Sequence, residues 1–191
     1  MRRSKEDTAR TRASIVEAAS LSFRKSGICE TALADLMEAA GLTHGGFYRH
    51  FASKDDLIAE ATEAAFSSTI ERMQASTRKS RNRKGVRAIA ENYLSPEHRT
   101  DRGHGCPLAA LASELSRSDK ATRAVATEGI VKMIDTVAAQ IKDRSPKDAE
   151  RAALTAVATM FGALTMSRIV ADPKLSDAIL GAARTYVSSL D

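Results

Sequence analysis

Thr31, Thr43, His44, Gly45, Gly46, Tyr48, His50 and Lys54 gather hydroxyls, imidazoles and an ammonium into one short stretch of chain. These groups suit recognition of a polyanion better than the making of bonds. His44 is able to donate to, or accept from, a base edge. Tyr48, His50 and Lys54 are placed for phosphates, which fix register without reading sequence. Gly45 and Gly46 carry no side chain, so the backbone is free to approach a groove closely. Each is a poor helix former, by about 1 kcal/mol relative to alanine. Such a surface reads thymine methyls or shape more than donor–acceptor patterns. Thr31 offers its hydroxyl and the amides of a helix N-terminus.

A second group with chemical potential is the thiol in Gly105-Cys106-Pro107. Proline favours the first helical position, which puts Cys106 at the N-cap. Free amides and the helix dipole there favour the thiolate, and His104 lies two residues away. Cys106 is therefore a candidate sensor of oxidants or electrophiles. The plainer reading is a small buried residue closing a chamber. Cys29 follows the first helix and is expected to be exposed and incidental. No glycine-rich phosphate loop, metal-ligand spacing or nucleophile elbow is visible, so no catalytic residues, cofactor or metal are expected.

Helices must position these residues. Ile15, Ala18, Ala19, Ser22 and Phe23 share one face of a helix from about Thr11 to Lys25, and Gly27 stops it. Leu33, Leu36, Met37 and Ala40 form the inner face of a second helix starting near Thr31, its expected N-cap. Gly41 takes the left-handed turn that other residues resist. A third helix spans about Thr43 to His50. Ser53 caps a fourth, with Asp55 and Asp56 in its first turn. Two short helices joined by a tight glycine turn make a helix-turn-helix, whose second helix enters the DNA major groove.

The residues Ile15-Val-Glu-Ala-Ala19, Phe23, Gly27, Thr31, Ala39-Ala-Gly-Leu-Thr43, Phe47-Tyr48, Phe51 and Ser53-Lys54-Asp-Asp-Leu57 match a known pattern without gaps. The segment from Thr11 to Phe66 resembles the TetR family of bacterial regulators. His44 stands where that family commonly has lysine, and Ala34 where it commonly has a cation. The resemblance implies an all-α fold with two parts. Residues 1–54 would form an N-terminal three-helix DNA-binding domain with the helix-turn-helix. Residues 55–191 would form a larger C-terminal helical domain for ligand binding and dimerisation. It further implies a homodimer on a palindromic double-stranded DNA operator, acting as a repressor released by a small-molecule effector, or by a thiol-reactive one if Cys106 is the sensor. Arg2, Arg3, Lys5 and Arg10 would form an arm to the adjacent minor groove.

Composition agrees with this reading. Of 191 residues, 43% are hydrophobic but only 4% aromatic, and tryptophan is absent, so the core must be mainly Ala, Leu, Ile, Val and Met. The formal charge of +5 suits a polyanionic partner. Much of the excess sits in Arg78, Lys79, Arg81, Arg83, Lys84 and Arg87, in a basic run expected to be a linker and a solvated face. Two cysteines suggest a reducing compartment rather than a disulfide scaffold. No signal peptide or membrane-spanning run is read, so a soluble, cytoplasmic protein without a membrane partner is expected.

The remaining helices are read from Val86 to Leu94, from Pro107 to Leu115, from Asp119 to Lys142, from Pro146 to Ala171 and from Lys174 to Leu190. Tyr93, His98, Leu108, Leu111, Met133, Met160 and Phe161 are the candidate lining of a ligand chamber, together with Cys106. Leu154, Val157, Met160, Phe161, Leu164 and Ile169 run almost all round the helix after Pro146, among many small residues. Such a helix must be buried on most sides, and with the last helix it would build half of a four-helix dimer interface. The alternatives are a thiol-dependent small helical enzyme and an architectural DNA binder.

Overall fold

The computed structural model describes residues 5–79 and 85–190, with backbone only for His44 and Lys79. Arg2 and Arg3 of the expected arm, the run at 80–84 and the His44 side chain lie outside the described residues. Among those described, the chain forms nine α-helices and one 3₁₀ segment, with no strand. The helices are α1 (Lys5–Ser26), α2 (Leu33–Ala39), α3 (Lys54–Lys79), α4 (Gly85–Tyr93), α5 (Pro96–Thr100), α6 (Pro107–Leu115), α7 (Lys120–Ala138), α8 (Pro146–Ile169) and α9 (Pro173–Ser188). The 3₁₀ segment is His44–Arg49.

Local chemistry explains most boundaries. Ser53 and Asp56 cap α3 reciprocally: the Asp56 amide donates to Ser53 Oγ (3.0 Å) and the Ser53 amide to Asp56 Oδ2 (3.1 Å). Asp119, Ser145 and Asp172 cap α7, α8 and α9 through their side chains. Gly27 and Gly41 take φ of +97° and +70°, closing α1 and turning the chain between α2 and the 3₁₀ segment.

Several expected boundaries move. α1 begins at Lys5 rather than near Thr11, with Glu6 and Asp7 in its first turn. The N-cap of α2 is Ala32, not Thr31. Residues after Pro96, read as loop, form the single turn α5, because the Ser95 hydroxyl accepts the His98 amide. Helix α3 continues through the start of the basic run to Lys79. Helix α8 is long and apolar enough by length and composition to cross a membrane, contrary to the expectation. Its Ala152, Ala153, Ala156, Met160 and Leu164 are built into the protein core.

Two hydrophobic clusters result. The N-terminal one holds Ile15, Phe23, Leu36, Met37, Phe47, Phe51, Leu57 and Ile58. The larger one holds Phe66, Met73, Ile89, Tyr93, Met133, Met160 and Leu164. Helix α3 feeds both, through Leu57 and Ile58 at one end and Phe66 and Met73 at the other. So does α6: Cys106 at its start belongs to the larger cluster, while Leu111 and Leu115 enter the N-terminal one. Burying a leucine contributes about 1.5–3 kcal/mol, so Leu111 and Leu115 tie α6 firmly to the first unit.

A candidate nucleic-acid interface and a buried basic centre

The recognition segment stands on aromatic packing. Phe47 is fully buried and stacks on Phe51 at 5.4 Å, while Tyr48 meets Phe47 edge-on and is 68% exposed. Arg12, on α1, lies 4.5 Å above the Phe51 ring, donates to the His50 carbonyl (3.2 Å) and forks onto the Glu60 carboxylate. That fork raises the Arg12 pKa further. One guanidinium thus ties α1 and α3 to the end of the segment.

The segment is 3₁₀ rather than the expected α-helix, as suits six residues carrying two glycines. Gly45 is exposed and Gly46 half-buried. A Cβ at Gly45 would meet nothing within 4 Å, and one at Gly46 only Met37 Cε at 3.7 Å and Thr43 Oγ1 at 3.8 Å. Neither φ is positive. Neither packing nor backbone conformation therefore demands glycine here. Thr43 is exposed, and its side chain makes no cap hydrogen bond. Thr43, Gly45 and Tyr48 are exposed, with Gly46 half-buried among them, and make up an open strip. Arg49, outside the set expected from sequence, is also exposed at its end. A cation inside the recognition segment was the available signal.

The other candidates face inward. Thr31 is buried and donates its hydroxyl to the Gly27 carbonyl (2.5 Å), so it braces the loop instead of capping α2. Lys54 Nζ donates to the carbonyls of Ile28 (3.2 Å) and Thr31 (2.9 Å). His50 is half-buried, with its carbonyl engaged by Arg12.

The candidate chamber residues do not share one surface. Tyr93, Met133 and Met160 are buried in the larger cluster, with Leu108 packed against it. Leu111 belongs to the other cluster. Phe161 is half-buried on α8. His98 proves to be a latch. Its Nδ1–H donates to the Tyr93 carbonyl (2.7 Å), and its Nε2 accepts from the Cys106 amide (2.9 Å), a pairing that fixes the neutral tautomer. Burial lowers its pKa to about 4.

Cys106 occupies the expected N-cap position but is fully buried. Burial pushes its thiol pKa up and outweighs the Tyr93 hydroxyl, the nearby amides and Arg168. The expected thiolate is therefore disfavoured, because the site lacks the water that would solvate it. Tyr93 and Cys106 lie side by side and influence each other's titration, and the buried Tyr93 hydroxyl makes no other polar contact. Three arginines surround the pair. Arg24 donates to the Gly105 carbonyl (2.9 Å). Arg168 donates to the carbonyls of His98 (2.8 Å) and Arg99 (3.1 Å), leaving Nη1 buried and unpartnered. Burial, then Arg72, lowers the Arg24 pKa to about 10, and burial lowers those of Arg72 and Arg168.

Comparison with known proteins follows the same division. Residues 15–61 match the family described as bacterial regulatory proteins, tetR family. Residues 64–175 match the C-terminal domain described as transcriptional regulator LmrA/YxaF-like. The HTH-type transcriptional regulator TtgR of Pseudomonas putida is 48% identical over 58 residues. That stretch is 30% of this chain and only 28% of TtgR. A TetR transcriptional regulator from Chloroflexus aurantiacus superposes with a TM-score of 0.79 at 27% identity, over 96% of this chain and 95% of its own. One from Cytophaga hutchinsonii gives 0.79 at 24% identity, over 99% and 98%, and shows the fold alone. With the LmrA/YxaF-like match spanning more than half the chain and the tetR match covering the helix-turn-helix, this chain belongs to the TetR family of bacterial regulators.

Proposed function

We propose that this protein is a one-component repressor that binds a palindromic operator as a homodimer and is released by a small-molecule effector. Residues 1–54 read DNA, and residues 55–191 sense and dimerise. The observation that carries this reading is the open strip of Thr43, Gly45, Gly46 and Tyr48 on a rigid aromatic base. Glycines that the protein's own packing does not require suit a backbone that must approach base edges. Tyr48 and Arg49 supply phosphate contacts beside it. Dimerisation is supported by an unpartnered apolar face: Leu154, Met166 and Ile169 of α8, with Leu175 and Tyr186 of α9, are exposed. Gly162 and Gly181 have open space where a Cβ would sit, which suits close approach of partner helices. A two-fold dimer matches a palindrome.

Helix α6 is the element through which sensing reaches the reading unit. Its start is latched by His98, and its Leu111 and Leu115 sit in the N-terminal core. Its Glu114 accepts the amides of Ile28 (2.8 Å) and Cys29 (3.0 Å) in the loop before α2. A displacement of α6 therefore moves the loop that carries the helix-turn-helix. An effector that weakens DNA binding must itself bind the DNA complex less tightly. Reversible binding, rather than thiol chemistry, is the favoured trigger, because Cys106 is sealed from solvent and its thiolate disfavoured. The same fact removes the nucleophile from the enzyme reading.

The test is a footprint of the purified full chain on the intergenic DNA beside its own gene, at a stated salt concentration. A protected palindrome is expected. If neither this DNA nor a genome-wide selection yields an enriched sequence, the repressor reading fails. Light scattering checks the dimer, which Ile169→Glu should dissociate.

A further inference from the structure

The end of α1, the body of α6 and the end of α8 enclose a cleft of about 440 Å³, in the size range of small-molecule sites. Arg24, Lys25, Arg102 and Arg168 line it, against the single carboxylate of Glu114. Glu114 Oε1 already accepts the amides of Ile28 and Cys29, and its one negative charge faces four cations. The imbalance continues behind the cleft wall, where Arg72 lies near Cys106 and Tyr93. Asp101 is the other nearby carboxylate, and it is bonded to the His104 amide and ring at 3.1 Å.

Among the residues lining the cleft, Arg168 keeps a buried polar atom, Nη1, with no partner. Unpaired buried polar groups are costly and rare. Gly105 lies between the two arginine heads. Its carbonyl accepts from Arg24 Nη1, and a Cβ on it would stand 2.9 Å from Arg168 Nη2. Glycine there lets the loop and both guanidiniums crowd together. Converging cations with too few carboxylates repel one another, and an anion resolves that repulsion.

We propose that this cleft takes a small anionic effector, bearing a carboxylate or a phosphate, held by Arg168 through its unpartnered Nη1, with Arg24, whose nitrogens already donate to Ser20 and Gly105, adding charge and Lys25 and Arg102 at the rim. Arg168 suits both anions, because Nη1 still has N–H groups to donate and the guanidinium stays charged in its buried setting. The assignment rests on the effector-released repressor reading and gives that effector a chemical class. It also supplies the coupling. The anion would bridge the end of α1, the arginine that holds Gly105 ahead of α6, and α8, so its binding bears directly on the loop that Glu114 fastens.

The test titrates the full chain with potassium phosphate and, separately, potassium hexanoate, at constant ionic strength made up with chloride. Calorimetry reads binding, and footprinting reads release from the operator. At least one anion is expected to bind saturably, and which one identifies the headgroup. The Lys25→Glu/Arg102→Glu variant, altered only at exposed rim positions, should bind that anion at least about tenfold more weakly. It should also keep its footprint at anion concentrations that release the parent protein. Absence of saturable binding by either anion, or equal binding by the variant, overturns the proposal. A parent protein that protects a palindrome but binds neither anion sinks this proposal alone. One that binds an anion and protects no DNA keeps the site and sinks the repressor reading.

Discussion

The two halves of this molecule place their polar chemistry on opposite sides of their cores. In the N-terminal unit the cluster under the recognition segment is apolar, built on Phe23, Leu36, Met37, Phe47 and Phe51, and the candidate DNA contacts lie outside on an open strip. In the C-terminal part, Arg72, Arg168, Tyr93, His98 and Cys106 converge inside, joined by Arg24 from the end of α1, and two of these groups' atoms lack partners. A DNA duplex is met at a surface, so its reader needs only a rigid base and exposed groups. A small ligand must be enclosed, so the groups that meet it carry desolvation before it arrives. The contrast predicts that mutations in the first half act through packing, and those in the second through charge and pH.

The largest effect is expected from Phe47→Ala. Phe47 is fully buried between Tyr48 and Phe51, and truncating a buried phenylalanine costs about 3–5 kcal/mol. Chemical denaturation should show the N-terminal unit melting first, with operator binding lost and the α7–α8 core retained. If both halves lose stability in one unchanged transition, the division between them is weaker than the two clusters suggest.

Next comes the pH dependence of the latch. Folded His98 stays neutral down to about pH 4, whereas the unfolded side chain titrates near 6.5. Between these values the unfolded state binds more protons, so stability is complete above pH 6.5 and falls as the pH drops toward 4. After a discount for the partial exposure of His98, the loss is roughly 2–3 kcal/mol. Protonation would also cost the Cys106 amide its acceptor on Nε2. Denaturant midpoints across this range should shift in the parent protein and flatten in His98→Gln. An equally steep profile in that variant would place the titrating group elsewhere.

Sequence made the reading unit largely legible, because its determinants are local. Gly27, Gly41, the Ser53 cap and the spacing of Leu36, Met37, Phe47 and Phe51 act within a few residues of themselves. What escaped was set by distant pairs. Arg12 meets Glu60 across 48 residues, Arg24 meets Gly105 across 81, and Glu114 meets Ile28 across 86. No period in the sequence announces such partners. They also redirect residues whose polar character marks them as important. Thr31 and Lys54 are taken by loop carbonyls, and Leu111 is drawn into the other core. At Cys106 the local signal is right about the cap and wrong about the thiolate, because burial depends on everything packed around it.

Glu114→Ala tests the join between the halves with a smaller effect. Losing the acceptor for two amides should cost about 1–2 kcal/mol. Glu114→Gln, which keeps an oxygen, should cost less. The informative readout is coupling: effector-free operator affinity should change little, while release by the effector is blunted. Unaltered release in Glu114→Ala would route the signal through the other shared element, α3.

The smallest change in stability carries the sharpest test of the open strip. Gly45→Ala adds a methyl group where nothing lies within 4 Å, on a backbone with no positive φ. Alanine is the better helix former, so the variant should be equally stable or up to about 1 kcal/mol more stable. If Gly45 exists to let the backbone close on base edges, the same methyl group stands between protein and groove. Operator affinity should then fall at least several-fold, with non-specific affinity and its salt dependence nearly unchanged, since phosphate contacts set those. A stabilised protein with weakened specific binding separates the demands of the fold from those of DNA at one atom. A stabilised protein with unaltered specific binding would move the base contacts off Gly45, leaving Thr43 and Tyr48 to bear them.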